Sequence, residues 1–439
     1  MKFVSRRIAL PIAAAAIVGV ALSGCSSATP GGNTIGKADG VVTIEGPLIG
    51  TAATRLEQSW AAWEKANHIT IKYTGSTSFQ QDIGGEAQQG NAPDLAIFAQ
   101  PGLLNDLASR GYVRTLPAEV KSEVDATFPA QWVGYTTSGG KDYAAPLLAS
   151  LNGWIYYSPS EFDKLNIKVP TTWAELLTLS EYIRADTNKP AWCEGFNAGA
   201  ASGTTGTTWI EDVVLREDGP AVYDDWVSHE IPFSDPRIQK AFTDVGEILQ
   251  NRAWVNGQFG EATSINTTTT AQVAKAMEDG SCLLTHQSSS FLDDLTTTTG
   301  GIDTVSPQGT MWAFIMPPMT PGPTPFTESG DFVAAFSNDA DTIKVQKYLA
   351  STAWAKGRMA LGGAISPAKG VDSSDTPDGL LKGSLALMQS PDATIKFDAG
   401  DLMPSIVGEG TFLSGMVNWI KGTSTKSVTS TIDGSWPDN

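Results

Sequence analysis

Between residues 41 and 112 the hydrophobic period alternates between that of a strand and that of a helix, which restricts the fold sharply. "VVTIEG" at 41–46 alternates and is rich in β-branched residues, so it reads as a strand. "TRLEQSWAAWEKAN" follows, with Thr54 and Glu57 at capping-box spacing and Leu56, Trp60 and Trp63 on one helical face. "HITIKYTG" is a second strand, "QQDIGGEAQQG" a short helix, "PDLAIFAQ" a third strand and "GLLNDLASRGYV" another helix. Such a series predicts an α/β fold built on a parallel sheet with helices on both faces. Ligands of these sheets sit beyond the carboxyl ends of the strands. That rule directs attention to residues 46–48, to Phe79, Gln80 and Asp82 after the second strand, and to Gln100 after the third.

The pattern restarts at Trp154. "GWIYYSPSEF" is a strand and turn, and "TTWAELLTLSEYIRAD" is a helix with Thr172 and Glu175 at capping-box spacing. A Gly/Thr-rich loop, "GFNAGAASGTTGTT", runs into the helix "WIEDVVLRED"; "SCLLTHQ" and "DFVAAFS" are strands on either side of the proline-rich crossing 316–326. The threonine runs at 267–270 and 296–299 read as low-complexity loops. A chain of 439 residues is too long for one core, so two domains are expected.

Ahead of this region, Arg6 and Arg7 precede an apolar run at 8–22 that is shorter than the roughly 20 residues a spanning helix needs. "LSGC" then resembles the bacterial lipobox, in which the cysteine, here Cys25, is diacylated and the chain is cut just before it. Two acyl chains suffice for stable anchoring. Residues 1–24 are therefore expected to be a lipoprotein signal peptide and 25–40 a lipidated tether, with the mature protein on the outer face of the cell membrane.

Composition narrows the function. The chain has 29 basic and 47 acidic residues, a net charge of −18, and a signal peptide would remove Lys2, Arg6 and Arg7 as well. That balance excludes nucleic acid, whose phosphates demand lysine and arginine. Besides Cys25 there are two cysteines, Cys193 and Cys282, an even pair in an oxidising compartment and so an expected disulfide. The three histidines are far apart and no HExxH or CxxC occurs, so no metal or cofactor is expected. No GxSxG or P-loop appears, and Glu211–Asp212 and Asp293–Asp294 are adjacent carboxylates that cannot face each other along a helix.

The arrangement as a whole resembles the extracytoplasmic solute-binding lipoproteins of bacterial carbohydrate ABC importers, a group similar to maltose-binding protein. Its alpha-glucoside-binding branch matches best, on "AWCEGFNAGAASGTTGTTWIEDVVLREDGPAVYDDWVSHEIPFSDP", "YVRTLPAEV", "SGDFVAAFSND", "GGAISPAKG" and "FDAGDLMP". The resemblance implies a two-lobe periplasmic-binding-protein-like fold with a hinge and an interlobe ligand cleft. The lobes are expected at 41–149 with 310–352, and at 150–309 with 353–439. It also implies a non-catalytic monomer that captures an alpha-linked glucoside or oligosaccharide and hands it to ABC permease subunits, and it pairs Cys193 with Cys282.

Carried over onto this sequence, the resemblance places Asp331, Trp209, Asp212, Gly363, Ala364 and Ser366 at the cleft. Gln287 and Ser288 are expected as hydroxyl binders, Trp254 and Trp312 as stacking platforms, and Asp398 and Asp401 as further acidic contacts; His286 should point to the opposite face of its strand. Three rivals are weighed at this point, and a structural or adhesive lipoprotein, which a fold without an interlobe cleft would favour, is the one the two-lobe pattern speaks against. Of the remaining two, one is the same fold carrying a different solute. The other is a lipid-anchored surface glycosidase, which would need two carboxylates about 5–9.5 Å apart across the cleft.

Overall fold

The computed structural model describes residues 38–256, 261–299 and 305–437. The expected signal peptide, Cys25 and most of the expected tether lie outside them. Among the described residues eleven strands form two principal sheets and one small ribbon.

The larger sheet grows from the predicted alternation. β1 (Val41–Gly46) pairs in parallel with β2 (Thr70–Gly75) and β3 (Leu95–Phe98). Every residue of β3 is buried, as a strand covered on both faces requires. The flanking helices are Gly50–Asn67, Phe79–Gln89 and Pro101–Ser109. The first begins a turn earlier than the capping-box spacing predicts: Thr54 instead donates its hydroxyl to the Gly50 carbonyl at 3.0 Å. The sheet becomes mixed on its other side. A ribbon of β4 (Thr137–Ser138) and β5 (Lys141–Asp142) leads into β6 (Ala144–Leu151), which runs antiparallel to a long later strand.

The chain then crosses at Asn152 and Gly153 into the smaller sheet, in which β7 (Trp154–Tyr157) is central. Its antiparallel neighbours are β8 (Leu284–Gln287) and β9 (Trp312–Ile315). Three long helices cover it, Trp173–Thr187, Thr204–Val227 and Pro236–Leu249. The Thr172 cap is present as predicted, accepting from the Glu175 amide, while the Glu175 carboxylate reaches Thr171 rather than the cap residue. Cys193 and Cys282 form the expected disulfide, with Cα atoms 5.7 Å apart, and tie the approach to the long helix to the start of β8. The threonines at 296–299 are not loop: they close the helix Leu292–Thr299.

From β9 the proline-rich segment returns to the large sheet as β10 (Phe326–Ala335), and β11 (Ile395–Phe397) joins its edge. The sheets therefore divide the chain differently from expectation. β9 belongs to the smaller sheet. Trp354, Leu380, Leu381 and Leu385 share one buried cluster with β1, β3 and β10, which also takes in Trp154, Tyr156 and Ala313 of the smaller sheet, and the chain after Asp398 enters a second cluster. The reason is pairing: β9 finds a free edge of β7, and β11 completes the open edge of β10.

Candidate functional site

β10 creates the site by changing partners. One edge pairs with β6 along nearly its whole length; the other pairs with β11 at Phe326–Glu328 and with β3 from Phe332 onward. Ser329, Gly330 and Asp331 fall in the gap, where the register also slips, and all three border a cleft of about 420 Å³. Gly330 is required by close approach from behind, since a Cβ there would lie 2.5 Å from the Trp132 ring and 2.4 Å from the Leu148 carbonyl. Alternation along the strand then turns Ser329 and Asp331 to the other side.

The opposite wall comes from the N-terminal turns of the helix Thr204–Val227, where Thr204, Thr205 and Thr208 face the cleft. Ser150, Asn152, Gln287, Ser288 and Ser290 add hydroxyls and amides, Asp294, Asp398 and Asp401 add carboxyls, and Phe291 is the aromatic side chain. No lysine or arginine borders the cleft among the described residues. This lining can accept from and donate to many hydroxyls in fixed directions.

The carboxyl groups are buried. Burial raises Asp331 to about 7, although Arg358 pulls the other way. Asp398 caps the helix Ala399–Leu402, accepting from the Asp401 amide at 3.1 Å, and burial lifts it to about 6. Behind it Glu211, fully buried, accepts from the Ala399 and Gly400 amides; burial and the neighbouring Asp398 keep it protonated well above its ordinary range. Asp401 is raised by burial and by Asp398, and Glu409 by burial to about 7. Among the described residues no group of three or more acidic, histidine or cysteine side chains is arranged to hold a metal ion.

Beneath the cleft lies a second polar group. The Asp212 carboxylate accepts from Arg216 at 2.6 Å, from Thr327 at 2.8 Å, and meets His286 Nε2 at 2.8 Å. Burial alone would raise Asp212, but Arg216 and His286 hold it at about 2. Arg216 also donates to the Met316 carbonyl, and Gly153 (φ +79°) passes so close that a Cβ would meet its guanidinium. Two of the crossings between the sheets thus rest on one ion pair.

Of the residues expected at the site, Gln100, Gln287, Ser288, Asp331, Asp398 and Asp401 border the cleft. The others do not. Phe79 is core, packed edge-on to Phe98; Gln80 stays on that helix, and Asp82 accepts from Ser78 on the surface. Trp209 is core between Trp192 and His286, because the helix starts five residues earlier than the sequence suggested, and Asp212 becomes the buried partner just described. Trp254 bonds Glu181 away from the cleft and Trp312 packs on Gly379. Gly363, Ala364 and Ser366 are drawn off by the edge of β6, where Ala149 donates to the Ile365 carbonyl and Ser366 to that of Leu147. His286, expected to face away, belongs to the cleft wall. The threonines at 204, 205 and 208, Asn152 and Glu211 were missed; the Gly/Thr-rich run itself was the available signal for the first three.

A polar cleft thus lies where a strand changes partners between two α/β halves. The family model described as bacterial extracellular solute-binding protein matches residues 50–356. The chain belongs to that family. It is a non-catalytic solute-binding protein of the sugar ABC-transporter type, with the two-lobe fold of its kind. It is 33% identical over 399 residues to the osmoprotective compounds-binding protein GgtB of Synechocystis sp., spanning 90% of this chain and 92% of that one. It is 30% identical over 419 residues to the alpha-glucosides-binding periplasmic protein AglE of Rhizobium meliloti, spanning 90% and 86%. The solute receptor AcbH, whose crystal structures are described with an exclusive preference for β-D-galactopyranose, has the same fold. It superposes with a TM-score of 0.74 at 17% identity, covering 90% of this chain and 98% of that one.

Proposed function

We propose that this extracellular solute-binding protein captures an alpha-linked glucoside or short oligosaccharide as a monomer and delivers it to ABC permease subunits, held at the outer membrane face by diacylated Cys25. The observation that carries the reading is the cleft lining: hydroxyls, amides and carboxyls from both halves of the molecule converge on one cavity, and a sugar hydroxyl is both donor and acceptor. The alpha-glucosides relative, similar over nine-tenths of this chain, supports the sugar class. The ligand closes the two lobes by bonding to both.

Thermal unfolding against maltose, trehalose, sucrose, isomaltose, maltotriose and raffinose tests it, with glycine betaine included because of the osmoprotective-compounds relative. A ligand at one hundred times its dissociation constant stabilises by about 2.7 kcal/mol. One alpha-glucoside should raise the melting temperature and remain chemically intact. A shift with glycine betaine and none with any sugar would replace the reading. For the anchor, Cys25→Ala should move the protein from the membrane fraction to the medium.

A further inference from the structure

Arg55 and Asp293 come from opposite halves of the molecule. Arg55 lies on the helix Gly50–Asn67, which follows β1 and buries Leu56 and Trp60, the latter edge-on to Tyr73 of β2 in the larger sheet. Asp293 lies in the first turn of the helix Leu292–Thr299, which follows β8 of the smaller sheet. The turn before that helix is fastened to its own half: Tyr156 of β7 donates to the Ser288 carbonyl at 3.0 Å and packs edge-on against Phe291. The Arg55 guanidinium reaches across from the other half and pairs with the Asp293 carboxylate.

Three features set this pair apart from a surface contact. It flanks the cleft without entering it. Leu48, just ahead of the Arg55 helix, borders the cavity, as do Phe291 and Asp294 around Asp293, whereas Arg55 and Asp293 themselves do not. The pair is also sheltered, its two side chains being 12% and 18% exposed. By contrast Lys396–Asp224, which joins the halves at 2.5 Å, leaves Asp224 59% exposed, and a pair so open to solvent is worth little. Finally, the backbone is shaped around it. Gly363 (φ +75°) passes so close that a Cβ there would fall on both the guanidinium and the carboxylate. The Gly363 loop is held to the larger-sheet half, because Gly362 accepts from the buried Arg358 at 2.8 Å and Ile365 accepts from Ala149 of β6 at 2.8 Å. Shielding from water strengthens the attraction between the two charges.

We infer that Arg55 and Asp293 form a clasp that fastens the two halves together beside the cleft, and that they are positioning residues which set how tightly a solute is held without touching it. When the halves part, the pair separates and both charges return to water, so the pair favours the closed arrangement alone. A solute bonded to both halves leaves only after the clasp has opened. The clasp therefore adds to the affinity of every solute the cleft accepts and leaves the preference among them unchanged. It presupposes the solute cleft described above and goes beyond it by setting how firmly that cleft stays shut.

The test is calorimetry of Arg55→Met, Asp293→Asn and the double variant with maltose and trehalose at pH 7, alongside small-angle X-ray scattering of each protein alone. Each single variant should bind about fivefold or more weakly than the unaltered protein, and the double variant no more weakly than the poorer single, as for two residues acting through one contact. Where both sugars bind, the ratio of their affinities should stay the same. Arg55→Lys, which keeps the charge, should recover part of the loss, and circular dichroism confirms the fold of each variant. Unchanged affinities, or losses that add in the double variant, overturn the inference and leave the sugar reading intact. A changed ratio overturns it too, by making one of the two residues a solute contact. If neither sugar binds the unaltered protein, the failure lies with the sugar reading, and the scattering decides for the clasp. A larger radius of gyration in both single variants, reversed in Arg55→Lys, upholds it; superimposable profiles overturn it.

Discussion

Asp331 sits where β10 has left β11 and not yet joined β3, a place where a carboxyl borders the cleft at the cost of solvation. Its charged form is disfavoured by burial, which raises it to about 7. Asp331→Asn should therefore weaken solute binding by roughly ten- to a hundredfold, the loss expected for one charged hydrogen bond of about 1.5–3 kcal/mol. It should also leave the ligand-free protein no less stable at pH 8, because a buried charge has gone. Calorimetry and thermal unfolding on the same sample check both, and a destabilised variant with unchanged affinity would make Asp331 structural. This residue was legible only through the family resemblance carried by "SGDFVAAFSND", and it borders the cleft. Trp209 was misread because nothing local distinguishes a tryptophan at a helix start from one five residues inside, and the helix begins at Thr204. Glu211 was unreadable, since only folding brings it under the Ala399 and Gly400 amides.

At the scale of elements, the order β1, β2, β3 with intervening helices was legible because each strand shows its period locally. The partner change of β10 was not, because it depends on β3, far ahead of it in sequence, and on β11, well after it. Its consequence is testable at Gly330. Gly330→Ala would press a methyl group against Trp132 and the Leu148 carbonyl, both buried and rigid. A destabilisation of about 1–3 kcal/mol is expected from overpacking, with loss of solute affinity because Ser329 and Asp331 shift with the strand. The disulfide acts on another element. It closes a loop of 89 residues, and Cys193→Ser with Cys282→Ser should cost about 2–4 kcal/mol in chemical denaturation.

For the whole molecule, the buried carboxyls make stability depend on pH in a definite direction. Asp331 and Glu409 lie at about 7 and Asp398 at about 6 when folded, and near 4 when unfolded. Between those values the native state binds more protons than the unfolded one, so stability falls as pH rises from about 4 through 7. Asp212, at about 2, has the opposite sign: its contribution is present above about 4 and is lost only as pH falls toward 2. Without ligand, the melting temperature should therefore be higher at pH 5 than at pH 8, and an increase over that interval would contradict the burial of these groups. The Asp212 pair itself joins the halves, because Arg216 reaches the end of β9 at Met316 and Asp212 reaches β10 at Thr327. Arg216→Met leaves a buried carboxylate with only His286 and the Thr327 hydroxyl beside it and should cost about 3–5 kcal/mol. Adding Asp212→Asn removes the stranded charge and should recover much of that loss, although a hydrogen bond from Thr327 is weakened. If the single and double variants are equally unstable, packing of the arginine, and not its charge pairing, is what holds the crossings together.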